Sequence, residues 1–159
     1  MLTFEVSKQT NITIPRGWLQ QIATAFIKER KLKGSWYFSL AFVDDKTIKR
    51  LNNSYRGKNM VTDVLSFTED FKNFVDLPVD RKYLGEIVIS ASQARGQAKD
   101  IKCSLKNEVA RLLIHGLSHL SGYDHEGTSK EEADKMLKFE KKVLKKLRIW
   151  GLFKFEEEA

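Results

Sequence analysis

The segment His115-Gly-Leu-Ser-His119-Leu-Ser-Gly122-Tyr-Asp-His125-Glu126 contains all three histidines of the 159-residue chain. His115 and His119 are four residues apart, so on a helix both side chains lie on one face, with Cβ atoms about 5–6 Å apart. Gly122 tolerates the left-handed backbone that ends a helix, so the chain can turn there and bring His125 back to the pair. Three imidazoles with an open fourth position are typical of a catalytic zinc site. The sequence therefore predicts one metal ion bound by these three histidines.

The same spacing is found in the zinc protease pattern H-E-x-x-H-x-x-G-x-x-H, with one difference. The position of the protease glutamate, which is the general base of peptide hydrolysis, is occupied here by Gly116. This difference weakens the protease interpretation and leaves the metal interpretation intact. Asp124 and Glu126 are candidates for the missing base, although the role favoured for Asp124 is to orient His125.

Composition and charge restrict the class of protein. A chain of 159 residues with 42% hydrophobic and 31% charged residues is typical of one soluble globular domain, expected here over residues 1–159 with a frayed tail after about residue 150. The sequence has no apolar run of about 20 residues and no signal-peptide pattern, and its single cysteine, Cys103, suits a reducing cytoplasm. A net charge of +7 favours a polyanionic partner. Beside a hydrolytic metal site, it favours a phosphodiester over a peptide as substrate.

Hydrophobic periodicity predicts a small α+β fold in which helices cover a mixed sheet and the histidine-bearing helix is central. Strands are predicted at residues 2–6, 35–43, 64–67 and 84–90. The predicted starts of the helices are Pro15, Asp44 or Asp45, Ser90 or Ser92, Ser104 and Thr128. Gly34 and Gly57 are predicted to end the first two helices, and residues 69–82 are predicted to form a long loop.

Three charged side chains outside the histidine segment are candidate site residues. Arg56 and Lys58 precede the third predicted strand on a loop, where a guanidinium and an ammonium could meet phosphate; a solvated basic loop is the alternative. Glu108 lies seven residues before His115 on the same helix face. Its carboxylate could accept a hydrogen bond from the imidazole N–H that a metal leaves free, or it could be an ordinary surface glutamate.

Three motifs in this chain resemble those of the YbeY family of bacterial rRNA maturation factors. The family pattern H-G-x-L-H-L-x-G-Y-D-H is matched apart from Ser118, which stands where the family usually has an apolar residue. Y-R-x-K…P-T-D-V-L-S-F-P is matched from Tyr55 to Phe67, with Val61 and Thr68 in place of the prolines. L-G-D-I-x-I-S is matched from Leu84 to Ser90, with Glu86 in place of aspartate.

The resemblance implies a metal-dependent endoribonuclease that cleaves single-stranded RNA. Its implied role is 3′ end maturation of small-subunit rRNA and ribosome quality control, with the ribosome or its small subunit as partner. It also implies a four-stranded mixed sheet and an active-site role for Arg56. One zinc ion per chain is expected, with nickel or iron as alternatives for three imidazoles, and no dinucleotide cofactor or membrane partner is expected. A zinc protease-like hydrolase and a non-enzymatic ribosome-associated factor with a structural metal are the rival hypotheses.

Overall fold

A computed structural model describes residues 1–68, 81–123 and 129–153. Within these ranges the strands are β1 (Leu2–Lys8), β2 (Trp36–Val43), β3 (Val64–Phe67) and β4 (Lys82–Ser90). The helices are α1 (Arg16–Arg30), α2 (Asp45–Arg56), α3 (Ala91–Ile101), α4 (Leu105–Leu120) and α5 (Lys130–Lys146), followed by a 3-10 helix at Trp150–Leu152. None of the helices in these ranges is both long and apolar enough to cross a membrane.

The four strands form one mixed sheet in the order β1-β2-β4-β3, which confirms the predicted fold class. β1 is parallel to β2, and β2 is parallel to β4, as expected for strands joined through helical crossovers. The edge strand β3 runs antiparallel to β4, with Val64 opposite Ile89. β4 therefore lies between β2 and β3, two strands that precede it in the chain.

Alternation along the strands gives the sheet two apolar faces. One face packs on α1, α3, α4 and α5: its fully buried Phe38 and Ile87 belong to the same core cluster as Leu112 of α4. The other face is covered in part by α2, whose Ile48 packs in a smaller cluster with Leu65 and Val88. The larger core therefore fixes the position of α4 against the sheet.

Helix α4 is central, as predicted, because it contacts β3, β4 and the three helices α1, α3 and α5. Gly116 allows this close approach: a Cβ atom there would lie 3.1 Å from Cγ2 of Ile87 on β4. The neighbouring residues His115 and His119 are partly exposed, whereas Leu117 and Leu120 are buried. One stripe of α4 is thus anchored in the core while its histidines remain accessible.

Side-chain caps confirm several predicted helix starts. The side chains of Asp44, Ser90 and Ser104 each accept a hydrogen bond from the backbone N–H three residues later. Gly57 caps the end of α2 with φ +68°, also as predicted.

Two predicted helix boundaries differ from the observed ones. α1 ends earlier than predicted, because Lys31 rather than Gly34 takes the left-handed position, with φ 58°. The start of α5 is one residue later than predicted: Ser129 is the cap and accepts from the N–H of Glu132. Thr128 and most of the predicted 69–82 loop lie outside the described residues, although Lys82 belongs to β4.

Gly85 lies where the end of β3, β4 and the end of α4 meet. Its φ is +144°, and a Cβ atom would lie 2.4 Å from the carbonyl oxygen of Phe67 and 2.7 Å from Cδ2 of Leu120. We expect Gly85→Ala to lower the free energy of unfolding by about 1–3 kcal/mol, because backbone and core side chains must shift. Chemical unfolding of the metal-free protein measures this change.

Gly96→Ala is the matched control, because Gly96 lies inside α3 and a Cβ atom there has no neighbour within 4 Å. This substitution should instead raise the free energy of unfolding by about 0.5–1 kcal/mol, since alanine loses less backbone entropy in a helix. A Gly85→Ala protein as stable as the wild type would contradict the close packing at this junction.

Candidate active site

The rings of His115 and His119 contact each other, edge to face, on one side of α4. Their Nε2 atoms are 3.2 Å apart, and the two rings are nearly perpendicular, with an interplanar angle of 89°. Two nitrogens bound tetrahedrally to one zinc ion, each at about 2.0–2.1 Å, would be separated by about 3.3–3.4 Å. The spacing of four residues has therefore produced a pair of donors with the separation that a shared ion requires.

Glu140 on α5 fixes the orientation of His115. Nδ1 of His115 lies 2.8 Å from Oε1 of Glu140, whose side chain is only 14% exposed. An ionised carboxylate only accepts hydrogen bonds, so this contact favours the neutral tautomer of His115 with its proton on Nδ1. The Nε2 lone pair of His115 is then directed toward His119. This carboxylate–imidazole arrangement is the one that commonly supports a metal-bound histidine.

The histidine pair opens into a cavity of about 450 Å³ between α4, β3 and the end of α2. Its polar residues come from three parts of the fold, which explains why no single motif predicted all of them. The described lining residues are Arg56, Thr62, Asp63, Val64, Ser66, Thr68, His115, Gly116, His119, Gly122 and Tyr123. The cavity thus combines a guanidinium with two imidazoles, a set suited to an anionic substrate.

Arg56, the last residue of α2, is exposed and lines the same cavity as the two histidines. Lys58 is also exposed but is not among the described lining residues. The loop between α2 and β3 is held by Asn52, whose side-chain amide donates to the carbonyl of Met60. Asp63 braces the same region, because it accepts hydrogen bonds from the N–H of Val64 and the amide of Gln97.

Glu108 has a different partner from the one suggested by its spacing. It is fully buried and accepts two hydrogen bonds from Arg111, at 2.6 and 2.7 Å. The carboxylate beside His115 is that of Glu140 instead. Burial alone would lower the pKa of Arg111, but its hydrogen bonds to Glu108, with the charges of Asp63 and Glu140, raise the pKa. Arg111 therefore remains a cation one helical turn before His115.

Arg30 of α1 holds the turn that follows α4. Its guanidinium donates to the side-chain and backbone oxygens of Ser121 at 3.1 and 2.8 Å. It also lies 4.4 Å from the ring centroid of Tyr123, which stacks on Phe139. Gly122 adopts φ +111°, the backbone freedom for which a glycine was expected at this position. These contacts thus fix the backbone of the turn as far as Tyr123.

His125, Asp124 and Glu126 lie outside the described residues. Within residues 1–68, 81–123 and 129–153, no group of three or more His, Cys, Asp or Glu side chains could hold a metal ion. The described pair supplies two nitrogen donors, which fits part of a metal site that needs at least one further ligand. His125 remains the predicted third ligand.

Sequence reasoning missed Glu140 and Arg30. Glu140 is 25 residues from His115, and Arg30 is 91 residues from Ser121. Both contacts depend on how α1, α4 and α5 pack together, which periodicity does not specify. The one available signal was that Glu140 lies four residues after Met136 and three before Val143, on the buried face of α5.

Comparisons with known proteins agree with this architecture. A sequence model described as Endoribonuclease YbeY matches residues 3–148. An Endoribonuclease YbeY from Thermodesulfovibrio yellowstonii is 44% identical over 69% of this chain and 66% of its own length. Another from Syntrophomonas wolfei is 35% identical over 94% of this chain and 99% of its own. The solution structure of TM1509 from Thermotoga maritima matches with a TM-score of 0.59 at 22% identity, over 100% of this chain and 99% of that one, which shows a shared fold.

The family model spans the three sequence motifs and both described histidines of the candidate site. The match covers most of the chain, and the Syntrophomonas wolfei relative is 35% identical over 94% of it. The chain therefore belongs to the Endoribonuclease YbeY family.

Proposed function

We propose that this protein is a metal-dependent endoribonuclease that cleaves single-stranded RNA during rRNA processing. One observation carries the proposal: two imidazole nitrogens 3.2 Å apart share a cavity with the guanidinium-bearing residue Arg56. Membership of a family whose relatives are named endoribonucleases supports phosphodiester hydrolysis as the reaction. The net charge of +7 supports a polyanionic substrate.

His115, His119 and His125 would hold the ion, with zinc as the expected metal and nickel or iron as alternatives for three imidazoles. When bound, such an ion supplies Lewis acidity, which acidifies water and polarises a phosphoryl oxygen. Glu140 keeps the proton of His115 on Nδ1 and so leaves Nε2 available as a donor. In this proposal Asp124 orients His125, and the base remains either Glu126 or no protein group at all.

Arg56 would bind the scissile phosphate and neutralise the charge that accumulates on its oxygens in the transition state. A guanidinium suits this task because it presents several N–H donors in a plane and keeps its charge at every working pH. Lys58, two residues further along the loop, would contact a neighbouring phosphate of the same strand. Both residues therefore act on the RNA and not on the metal.

We infer a cellular role in 3′ end maturation of small-subunit rRNA and in ribosome quality control, with the small subunit as partner. The single cysteine, which suits a reducing compartment, supports a cytoplasmic location. A protease function has less support, since a Cβ atom at Gly116 would already contact Ile87 and the position lacks the protease glutamate.

Paired digests of single-stranded RNA and casein, each with and without a chelator, test the proposed function. We expect chelator-sensitive cleavage of RNA and no cleavage of casein. Casein cleavage would support the protease rival. Unfolding on chelation, with no nuclease activity in the metal-loaded protein, would support a structural metal instead.

Glu140→Gln tests the support of His115. The amide preserves the size of the side chain but removes the negative charge that increases the basicity of the imidazole. We expect metal affinity to fall by about 10–100-fold, the usual effect of losing such a partner. Competition with a metal-binding dye measures the change. Glu131→Gln is the matched control on the same helix, because Glu131 is 81% exposed and should leave affinity unchanged. Equal metal affinities in the two variants would show that Glu140 does not support the metal site.

A further inference from the structure

A second cavity, of about 400 Å³, adjoins the candidate active site. Thr68 and Gly122 line both cavities, so the two share a boundary at the ends of β3 and α4. Its walls are mainly apolar and include Trp36, Leu84 and Leu120. We call it the Trp36 groove.

Trp36 presents a fixed aromatic ring in this groove. It is half-buried at the start of β2 and packs against the main core. Its indole N–H donates to the carbonyl of Lys33 at 3.1 Å, and the ammonium of Lys82 lies 5.5 Å from its ring centroid. The ring therefore has a defined orientation and a cation beside it.

The charge around the groove suits a polyanion. None of its described lining residues is a carboxylate, and Lys82 lies against its aromatic wall. By contrast, a cavity beside β1 has two carboxylate residues in its lining, Glu5 and Glu86, together with Arg16. Sites for single-stranded nucleic acid combine cations along the backbone with aromatic rings on which bases stack. The Trp36 groove has both features and adjoins the histidine pair.

We propose that the Trp36 groove binds one nucleobase of the RNA strand whose phosphodiester lies in the histidine cavity. The base stacks on the indole of Trp36, and Lys82 contacts the adjoining phosphate. This inference rests on the proposed function and adds a base-binding subsite to it. The subsite selects unpaired strands, because a base within a duplex cannot turn out to reach the ring without losing its pairing.

Binding of a short fluorescent single-stranded RNA by chelator-treated protein tests the subsite without requiring cleavage. Trp36→Leu should weaken binding about tenfold, and Trp36→Phe should retain most of it, because phenylalanine still stacks. Trp150→Leu is the matched control: Lys141 lies 4.9 Å from the Trp150 ring, but Trp150 is not a described lining residue of the groove. If Trp36→Leu binds the RNA with wild-type affinity, the proposal is overturned. That result is expected if the groove binds an apolar protein segment instead.

Substrates with a single abasic nucleotide identify the stacked base. One abasic position should weaken binding to the wild type about tenfold and have no further effect in Trp36→Leu. If abasic effects were the same in both proteins, the subsite would be wrong. Should Trp36→Leu fail to fold, a variant with Trp18 and Trp150 changed to Phe keeps Trp36 as the sole indole. In this variant, we expect RNA to quench the fluorescence of Trp36, and we expect RNA that lacks the identified base not to quench it. Equal quenching by the two RNAs would contradict the subsite.

The two hypotheses fail in different ways. If metal-loaded wild type does not cleave RNA, the proposed function fails, whatever the binding results. If wild type cleaves RNA but Trp36→Leu binds normally, only the subsite fails.

Discussion

His119→Ala should abolish both metal binding and RNA cleavage. The substitution removes one of two facing nitrogens 3.2 Å apart, so metal affinity should fall by more than about 100-fold, beyond the loss expected for a supporting residue. Cleavage should fall to the level of the metal-free protein. Equilibrium dialysis followed by elemental analysis measures the first effect, and a single-stranded RNA assay measures the second.

Thermal unfolding separates this effect from damage to the fold. His119 is partly exposed on a helix, where alanine is well tolerated, so the metal-free proteins should have similar Tm values. Metal at 1,000 times its Kd should stabilise the wild type by about 4 kcal/mol, which corresponds to a Tm rise of about 8–16 °C. Metal should leave the Tm of the variant unchanged. A comparable rise in both proteins would show that His119 is not a ligand.

Arg56→Ala should lower kcat by about 100- to 1,000-fold while leaving metal affinity intact. Arg56 lines the cavity from α2, on a different element from the histidine pair, so its loss should affect the transition state and not the ion. Arg56→Lys should recover only part of the rate, because an ammonium cannot donate in the same bidentate manner. Single-turnover cleavage of RNA by metal-loaded protein measures the change.

Lys58→Ala is the matched control two residues away on the same exposed segment. If Lys58 contacts one phosphate, its loss should raise KM, reduce the salt dependence of binding by about one counterion and leave kcat near the wild-type value. Normal cleavage by Arg56→Ala, or a loss of bound metal in that variant, would contradict the role assigned to Arg56.

Local patterns predicted the parts of this site that depend on local geometry. Residues i and i+4 of a helix share a face, so His115 and His119 could be paired without knowing the fold. A turn at Gly122 and caps at Asp44, Ser90 and Ser104 follow from side-chain and backbone chemistry within a few residues. The mixed sheet of four strands and its helical cover also followed from periodicity, together with the family resemblance.

Long-range packing determined the rest. Helix α5 must dock on α4 before Glu140 can reach His115, and Glu108, which shares the helix with His115, pairs with Arg111 instead. Helix α1 ends at Arg30 and is capped by Lys31, three residues before Gly34. A glycine therefore marks where a helix can stop and not where it must. Trp36 was recognised only as an aromatic strand residue, because its groove forms where separate strands and α4 meet.

Metal titration of chelator-stripped protein, with RNA cleavage followed at each addition, tests the central claim most directly. The account predicts that cleavage rises with bound metal and saturates at one ion per chain, and that His125→Ala shows neither tight binding nor cleavage. Full cleavage by the stripped protein, with no response to added metal, would contradict it.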